Sequence, residues 1–382
     1  MNRLRGPWMA CAVVAFLAAA LGPCGAAPEE VPTRLRYSQD ESMQGFYESD
    51  EAVHQSQGLK FLPADRNPPF DRATSFKNED YLPPDYVVAI GNASANVTFP
   101  FNESRALAAF ESISYCRDIP ALRLWNCTRC GWDEVQGFVV EDTVYDSKWD
   151  VFTYVGYLPA WKANIVAIRG TDSHDFWNWI EDFDSWRSKY PLSYPGAEGC
   201  QIHSGFYKLW ANSALKENTT AAVQRLVDKY GTNQTTYVVG HSMGGAMADL
   251  AALWLKFNLS LSDVRVTTFG QPRTGNKKFS DFFNKTIEHS WRFTHDKDIV
   301  PSLPYEFMGY WHTPREVWQV DIPDSSSPSG IKMTYKVCDG SGEDPTCHDS
   351  ACHYASCTSI EDHMMYMGFP MYTNATSNDE PC

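Results

Sequence analysis

TTYVVGHSMGGA, residues 235–246, is the most informative segment of the chain. A β-rich run leads straight into the pattern Gly-x-Ser-x-Gly, and a strong helix-forming stretch follows it. This strand–turn–helix context is what a nucleophile elbow requires, because the tight turn leaves no room for side chains at Gly240 and Gly244. The following helix directs its positive N-terminus at the turn. Ser242 is therefore predicted to be a catalytic nucleophile, and the alternative is an ordinary tight turn.

Short apolar runs alternate with helix-forming stretches on both sides of this segment. The predicted helices cover residues 205–230, 244–257, 276–287 and 360–368. The predicted strands cover residues 136–141, 150–156, 163–168, 235–239, 264–269, 289–294, 316–321 and 332–337. This alternation predicts a largely parallel mixed central sheet with helices on both faces. Together with the nucleophile elbow it predicts an α/β-hydrolase fold.

A serine needs an imidazole to take its proton and a carboxylate to orient that imidazole. In this fold the chain order is serine, acid, histidine. The predicted strand at 289–294 leads into Asp296 and Asp298, and both are candidates for the acid. Four downstream histidines are candidates for the base, and spacing alone does not choose among them: His312, His348, His353 and His363.

The first 27 residues have the order of a cleavable secretory signal. Arg3 and Arg5 precede an apolar run at 8–21, and small residues follow. The run is short for a membrane span, which needs ~20 residues, although an uncleaved anchor is the alternative. Nine Asn-x-Ser/Thr sequons also favour an exported, glycosylated chain; they begin at Asn92, Asn96, Asn102, Asn126, Asn218, Asn233, Asn258, Asn284 and Asn374. We expect a secreted protein or one in the lumen of the secretory pathway.

Composition divides the remaining chain into two parts. Residues 28–100 are rich in Pro, Asp, Glu, Ser and Asn and lack sustained periodicity, which predicts a pro-segment or an extended N-terminal arm. Residues 101–382 form the predicted catalytic domain, and residues 102–105 can cap its first helix. The formal charge of −15 argues against nucleic acid as a partner. It also argues against attraction to anionic lipid surfaces.

Most cysteines fall in tight groups, which in an exported chain indicates disulfides. Cys127-x-x-Cys130 is also the spacing of a redox motif, but nothing around it resembles a thioredoxin unit. The terminal group with His348 and His353 is also a candidate zinc site, although its spacing is uneven. Nine cysteines remain after signal removal, so at least one thiol is free or pairs between chains.

Several segments together resemble the fungal-type triacylglycerol lipases, the Rhizomucor-like class 3 family. The resemblance extends from about residue 102 to residue 382. It rests on IVAIRGT (165–171), IHSGF (202–206), GHSMGGA (240–246), FGQPRTGN (269–276), DIVPSLP (298–304), GYWH (309–312) with EVW (316–318), and DHMMY (362–366). Met243 stands where the family has Leu.

The resemblance implies a catalytic triad of Ser242, Asp298 and His363. It implies an oxyanion hole made by the backbone N–H groups of Met243 and Thr171. His312, His241 and His203 would then be supporting residues. No metal or organic cofactor is implied, because a triad supplies nucleophile, base and oxyanion donors itself.

The family places a lid at residues 172–184. Four large apolar residues there fall on one face of a short predicted helix: Phe176, Trp179, Ile180 and Phe183. The alternative is a fixed surface helix. The strong negative charge of the segment departs from the family pattern.

The resemblance also implies a pattern of disulfides. It pairs Cys116 with Cys382, Cys127 with Cys130, and Cys338 with Cys347. We infer in addition a local pair, Cys352 with Cys357, which leaves Cys200 unpaired.

The leading functional hypothesis is a triacylglycerol lipase that forms an acyl-enzyme on Ser242. It would act on acylglycerols or other lipid esters and bind the lipid–water interface transiently, with no obligate protein partner. A phospholipase A1 or a feruloyl-type soluble esterase would use the same triad and is an alternative. A non-catalytic hydrolase-fold protein is a further alternative, against which the complete triad argues.

Overall fold

The computed structural model describes residues 99–171, 189–326, 330–352 and 357–372, and the backbone of Tyr86–Ile90. In chain order the strands are β1 (Tyr86–Ile90), β2 (Val139–Asp146), β3 (Val151–Leu158), β4 (Ala163–Ile168), β5 (Lys189–Pro191), β6 (Gln201–His203), β7 (Thr235–His241), β8 (Val264–Phe269), β9 (His289–His295), β10 (Glu316–Pro323), β11 (Ile331–Val337), β12 (Met365–Tyr366) and β13 (Phe369–Pro370). The helices are α1 (Phe101–Ile113), α2 (Ile119–Arg123), α3 (Ser204–Ala211), α4 (Leu215–Tyr230), α5 (Met243–Asn258), α6 (Lys277–Thr286) and α7 (His348–Ala351).

Nine strands form one mixed sheet in the order β1-β11-β10-β9-β8-β7-β4-β3-β2. Its centre is parallel, because β4, β7, β8, β9 and β10 run in the same direction. Strands β2, β3 and β4 pair antiparallel at one side, and β10 pairs antiparallel with β11 at the other. The predicted α/β-hydrolase fold is confirmed.

The sheet is covered on both faces, as its residues require. Every residue of β3 and β4 is buried, and strands buried on both sides need a layer of structure on each face. The apolar residues of α3, α4, α5 and α6 form one core cluster with one set of strand residues. Residues of α1 and of the C-terminal hairpin β12–β13 form a second cluster with the alternate strand residues.

Helix α5 lies directly behind the candidate nucleophile. Its sequence is rich in Ala and Leu, which are strong helix formers, and twelve of its residues are buried. Its contacts with β7 and β8 fix it against the centre of the sheet. The helix therefore starts from a rigid position at the carboxyl end of β7.

Two predicted helices were wrong in part or in whole. The predicted helix at 205–230 is two helices, because Ser213 interrupts it: its hydroxyl donates to the carbonyl of Leu209 and accepts from the N–H of Leu215. The predicted helix at 360–368 is a turn followed by the short hairpin β12–β13. Met367 and Gly368 have positive φ angles of 52° and 85°, which a right-handed helix excludes.

Smaller differences concern the ends of elements. The first predicted strand, 136–141, is observed as Val139–Asp146. Helix α1 begins at Phe101 with no side-chain cap, so Asn102 lies inside its first turn rather than capping it. Within the predicted arm, the backbone of Tyr86–Ile90 pairs in parallel with β11. The removal of residues 28–100 stays a prediction.

In the described part of the chain, we find no helix that combines the length and the apolar character needed to cross a bilayer.

Candidate active site

Ser242 occupies a strained turn between β7 and α5. Its φ and ψ angles are 57° and −131°, a conformation that non-glycine residues rarely adopt. A side chain at Gly240 would collide with the carbonyl of Gly244, and one at Gly244 would collide with the carbonyl of Ile168. The N–H of Ser242 donates to the carbonyl of Phe269 at 2.9 Å, which ties the turn to β8. These contacts explain why the pattern needs glycine on both sides of the serine.

Asp298 and His363 form a buried pair. Asp298 follows β9, and its Oδ2 lies 2.8 Å from Nδ1 of His363, which precedes β12. Both side chains are fully buried. The same Oδ2 accepts from the hydroxyl of Tyr366 at 2.5 Å, and Oδ1 accepts from the N–H of Val300 at 2.8 Å. The carboxylate therefore orients the imidazole while its own position is fixed by two further donors.

This environment keeps Asp298 ionised. Burial alone would raise the pKa of the carboxyl, but the neighbouring His363 and the three hydrogen bonds lower it below the usual value. Burial raises the pKa of Tyr366 well above its usual value, so its phenol remains a donor at neutral pH. A carboxylate held in this way can stabilise an imidazolium on His363.

Gly270 makes the approach of the pair possible. It follows β8 with a φ of +56°, and a Cβ at this position would lie 2.9 Å from Asp298 Oδ2 and 2.8 Å from His363 Nδ1. Because β7, β8 and β9 are parallel neighbours, the residues that follow them meet at one edge of the sheet. The structure thus brings Ser242, Asp298 and His363 to the same edge.

A buried hydrogen-bond chain runs behind this edge. His241 Nε2 lies 2.8 Å from the carbonyl of His363, which can only accept, so Nε2 carries the proton. Nδ1 then accepts from the hydroxyl of Tyr115 at 2.6 Å, and that hydroxyl accepts from the N–H of Gly170 at 3.1 Å. Burial lowers the pKa of His241 well below its usual value, which agrees with a neutral ring. The chain links three loops of the site.

Glu111, a residue of α1, hydrogen-bonds to the same turn. Its Oε1 accepts from the N–H of His241 and from the hydroxyl of Ser114, each at 3.1 Å. Burial raises the pKa of this carboxyl well above its usual value. His241 is therefore held both at its backbone and at its ring, which agrees with its predicted supporting role.

The two predicted oxyanion donors lie beside the serine. Met243 is the first residue of α5, and Thr171 follows Gly170, where a Cβ would lie 2.9 Å from Cβ of Ser242. The Thr171 hydroxyl lies 3.7 Å from Sδ of Met243. Ser242 Oγ is buried, and among the described residues it has no hydrogen-bond partner. The role of Met243 and Thr171 as oxyanion donors stays a prediction.

The other candidate acid and bases have different surroundings. Asp296 Oδ2 accepts from the N–H of Asp321 at 3.1 Å and does not contact His363. His312 Nε2 lies 2.7 Å from the carbonyl of Pro301, and His348 Nε2 lies 2.9 Å from the carbonyl of Asp298. Both rings are buried and support the acid segment from behind. His203 is also buried, and burial lowers its pKa to about 3.

The cysteines pair largely as predicted. Disulfides join Cys127 to Cys130, Cys338 to Cys347, and Cys352 to Cys357. Cys116 is also disulfide-bonded, and the predicted partner, Cys382, lies outside the described residues. Cys200 is the free cysteine of the described part of the chain, and its thiol donates to the carbonyl of Lys278. The bonded sulfurs of Cys352 and Cys357 are not thiolates, which argues against the zinc alternative.

The predicted lid residues Phe176, Trp179, Ile180 and Phe183, and also His353, lie outside the described residues. Sequence reasoning did not find the roles of Tyr115, Glu111 and Tyr366. For Tyr366 a signal was present, because it stands three residues after His363 in the quoted segment DHMMY. Tyr115 and Glu111 lie more than a hundred residues from the turn that they support, and no local pattern marks them.

Comparison with known proteins agrees with this geometry. The family model described as lipase (class 3) matches residues 165–308. The lipase of Rhizomucor miehei is 30% identical over 281 residues, which are 73% of this chain and 71% of that protein. The secreted mono- and diacylglycerol lipase 1 of Fusarium solani is 32% identical over 54% of this chain, and the match spans 58% of its own length.

A solved structure is similar over most of the fold. It is described as a triacylglycerol lipase whose catalytic centre is a serine protease triad, and it superposes with a TM-score of 0.60 at 29% identity. The match covers 72% of this chain and 97% of that chain. The chain therefore belongs to the fungal-type class 3 lipase family, and it is a lipase, a carboxylic ester hydrolase of the serine hydrolase type.

Proposed function

We propose that the protein hydrolyses acyl esters of glycerol through an acyl-enzyme on Ser242, with His363 as general base and Asp298 as its orienting acid. The observation that carries this proposal is the 2.8 Å contact between Asp298 and His363 at the sheet edge where the strained Ser242 stands. Both the geometry and the buried, ionised carboxylate suit this chemistry.

The reaction would proceed in two steps. In the first, the Ser242 hydroxyl gives its proton to Nε2 of His363 as Oγ attacks the ester carbonyl, and the proton then passes to the departing alcohol. In the second, a water molecule gives its proton to His363 and attacks the acyl-enzyme, and His363 then returns the proton to Oγ of Ser242 as the fatty acid leaves. The N–H groups of Met243 and Thr171 would stabilise the oxyanion in both steps. No cofactor takes part in this scheme.

Acylglycerols are the proposed substrate class because of the relatives. Their names include a mono- and diacylglycerol lipase and a triacylglycerol lipase. Ser242 is buried, which agrees with a substrate whose acyl chain is removed from water on binding. Removal of an apolar chain from water favours binding. We further propose transient binding to a lipid–water interface, with residues 172–184 as the lid and no obligate protein partner.

We also propose that the protein is secreted. Six of the nine sequons fall in the described part of the chain, and the asparagine of each is exposed: Asn102, Asn126, Asn218, Asn233, Asn258 and Asn284. Exposure is what glycosylation in the secretory pathway needs. The disulfides agree with an oxidising compartment.

The proposed substrate class is tested with three esters. Rates would be measured on tributyrin, a short p-nitrophenyl ester and phosphatidylcholine, each below and above its aggregation threshold. Higher turnover on aggregated tributyrin than on the other two supports the proposal. A preference for phosphatidylcholine would replace it with a phospholipase A1, and equal rates on dissolved and aggregated ester would replace it with a soluble esterase.

A further inference from the structure

His295 contacts the loop that carries His363. It is the last residue of β9, and its side chain is buried. Its Nδ1 lies 2.8 Å from the carbonyl oxygen of Asp362 and 2.7 Å from that of Met365. These two carbonyls stand on either side of His363 along the chain. One ring nitrogen therefore fixes both flanks of the segment that presents the proposed base.

The other ring nitrogen of His295 faces two acids. Nε2 lies 3.3 Å from Oδ2 of Asp296, in the turn that follows β9. It also lies 3.3 Å from Oδ2 of Asp321, on the neighbouring strand β10. Asp296 is itself fixed, because its Oδ2 accepts from the N–H of Asp321. Both carboxylates thus lie at ion-pair distance from the same nitrogen, without the alignment of a hydrogen bond.

The protonation state of His295 follows from these contacts. A neutral imidazole has one nitrogen with a proton and one with an exposed lone pair. In the described structure both nitrogens of His295 face only acceptors, two carbonyls on one side and two carboxylates on the other. A lone pair on either side would be repelled, which favours an imidazolium with a proton on each nitrogen.

The electrostatics of the site agree with this assignment. Burial alone would lower the pKa of His295, but the carboxylates of Asp296 and Asp321 raise it well above its usual value. The base loop contributes Asp362, whose carboxylate accepts from the N–H of Lys297, and Tyr366, whose ring edge lies against His295. None of these groups is a cation, so nothing among them opposes the charge on the ring.

We propose that His295 is a positioning residue for the hydrolysis, whose imidazolium holds the segment around His363 in register with Asp298 and Ser242. The proposal rests on the function proposed for those three residues. Lys297, between His295 and Asp298, adds a second tie through Asp362. The turn that presents the acid and the loop that presents the base are thus joined through one charged ring.

The proposal has a consequence for the pH dependence. The pKa of His295 is raised, so its contribution is complete below the ordinary pKa of histidine and is lost as the pH rises through the raised value. Deprotonation of His363 favours activity as the pH rises, because the general base must be neutral. A fall in kcat on the alkaline side would therefore come from a different group, and we assign it to His295.

Kinetics on a dissolved short ester test this assignment. His295→Asn keeps a donor near the two carbonyls and removes the charge. We expect kcat to fall by roughly 10- to 100-fold, as for a small misplacement of a catalytic group, with KM unchanged and no alkaline limb in the remaining activity. Asp321→Asn should move the alkaline limb to lower pH. His289→Asn, the same substitution at the exposed start of β9, should leave the profile unchanged.

An alkaline limb unchanged in both His295→Asn and Asp321→Asn would overturn the proposal. If Ser242→Ala were as active as the parent protein, the proposed function itself would fail, so the two failures are distinguishable. NMR of the parent protein labelled with ¹⁵N-histidine gives an independent test. We expect both ring nitrogens of His295, assigned by their loss in His295→Asn, to be protonated at pH 7.5. A neutral tautomer at that pH would contradict the proposal.

Discussion

Asp296 and Asp298 stand two residues apart, but their surroundings separate their roles. Asp298 is fully buried and accepts from His363, Tyr366 and the N–H of Val300. Asp296 is partly exposed and contacts His295 and the backbone of Asp321. The turn between them directs the side chain of Asp298 to His363 and that of Asp296 to His295. Chain position made both residues candidates, the family resemblance favoured Asp298, and the fold places Asp298 against His363.

Asp298→Asn should therefore be far more damaging than Asp296→Asn. An amide at 298 leaves His363 in the wrong tautomer and no longer stabilises its imidazolium, a change that costs ~10⁴ in kcat in the serine protease template. At neutral pH we expect a much smaller loss for Asp296→Asn, because Asp321 still faces His295. The measurement is kcat on a dissolved ester at pH 7, for variants whose circular dichroism matches the parent. A larger loss for Asp296→Asn would show that Asp298 is not the orienting acid.

Several residues of the site could not have been predicted from the sequence. The triad pattern depends on short motifs, and the turn at Ser242 has strict local steric requirements, so the residues 235–246 are sufficient to predict it. Tyr115, by contrast, reaches His241 across 126 positions of the chain. His295 has no motif of its own, and its role follows from carbonyls that belong to a different loop. Such contacts depend on the tertiary fold alone.

At the scale of elements, the central parallel strands were predicted with the greatest success. Strands β4 and β8 have the predicted bounds, because both are short segments rich in β-branched residues and bounded by turn residues. The segment at 360–368 was predicted incorrectly because its apolar residues fit a helix by spacing. Tertiary contacts hold it instead: Met367 N–H donates to Gln319, and two carbonyls of the segment face His295.

The predicted lid is the element with the clearest functional test. If Phe176, Trp179, Ile180 and Phe183 share a face that covers the site, burial of each is worth ~1.5–3 kcal/mol relative to water. An oil surface offers that face another apolar partner, so opening becomes favourable there. Trp179→Ala should then lower activity on emulsified triacylglycerol more than on a dissolved short ester.

Rates on the two substrates, compared with those of Leu124→Ala, provide the measurement. Leu124 is a large exposed apolar residue outside the predicted lid, so its substitution should change neither rate. An equal loss on both substrates for Trp179→Ala would indicate a fixed surface helix at residues 172–184. In that case the soluble esterase would become the better hypothesis. The acidic residues of the segment should also slow the enzyme on anionic lipid, most clearly at low salt.

At the scale of the whole molecule, buried ionisable groups make the free energy of unfolding depend on pH. Asp249 lies in α5 behind the candidate nucleophile and accepts from Gln271 and Thr274. Burial raises its pKa from 3.8 to about 7. The folded protein therefore binds a proton that the unfolded chain releases between pH 4 and 7. The contribution of this group to stability is complete below the unfolded pKa and is lost as the pH rises through the folded one.

Asp249→Asn should remove this dependence, because the amide oxygen can accept the same hydrogen bonds without ionising. Relative to the variant, the parent should lose up to about 1.4 kcal/mol of unfolding free energy per pH unit between pH 4 and 7. Chemical denaturation across that range is the measurement. Asp281→Asn, at an exposed position of α6, is the matched control. Parallel stability curves for the parent and Asp249→Asn would show that Asp249 is ionised throughout.

The whole chain also carries features that bear on where it works. The charge of −15 and the six exposed sequon asparagines give it a strongly acidic and, on our proposal, glycosylated surface. Such a surface favours neutral over anionic lipid interfaces at low salt. The candidate catalytic edge of the sheet is instead buried, and the carboxylate of Asp298 is stabilised there by local hydrogen bonds. The acidic groups that favour solubility thus lie on the surface, whereas the proposed chemistry takes place at a buried edge of the sheet.

Covalent labelling of Ser242 tests the central claim most directly. A long-chain alkylphosphonate ester reacts with an activated serine and mimics the tetrahedral intermediate, and peptide mapping by mass spectrometry identifies the modified residue. We predict one adduct, on Ser242, formed together with loss of activity, absent from Ser242→Ala and slowed in Asp298→Asn. An adduct on another residue, or full esterase activity in a correctly folded Ser242→Ala, would contradict the account.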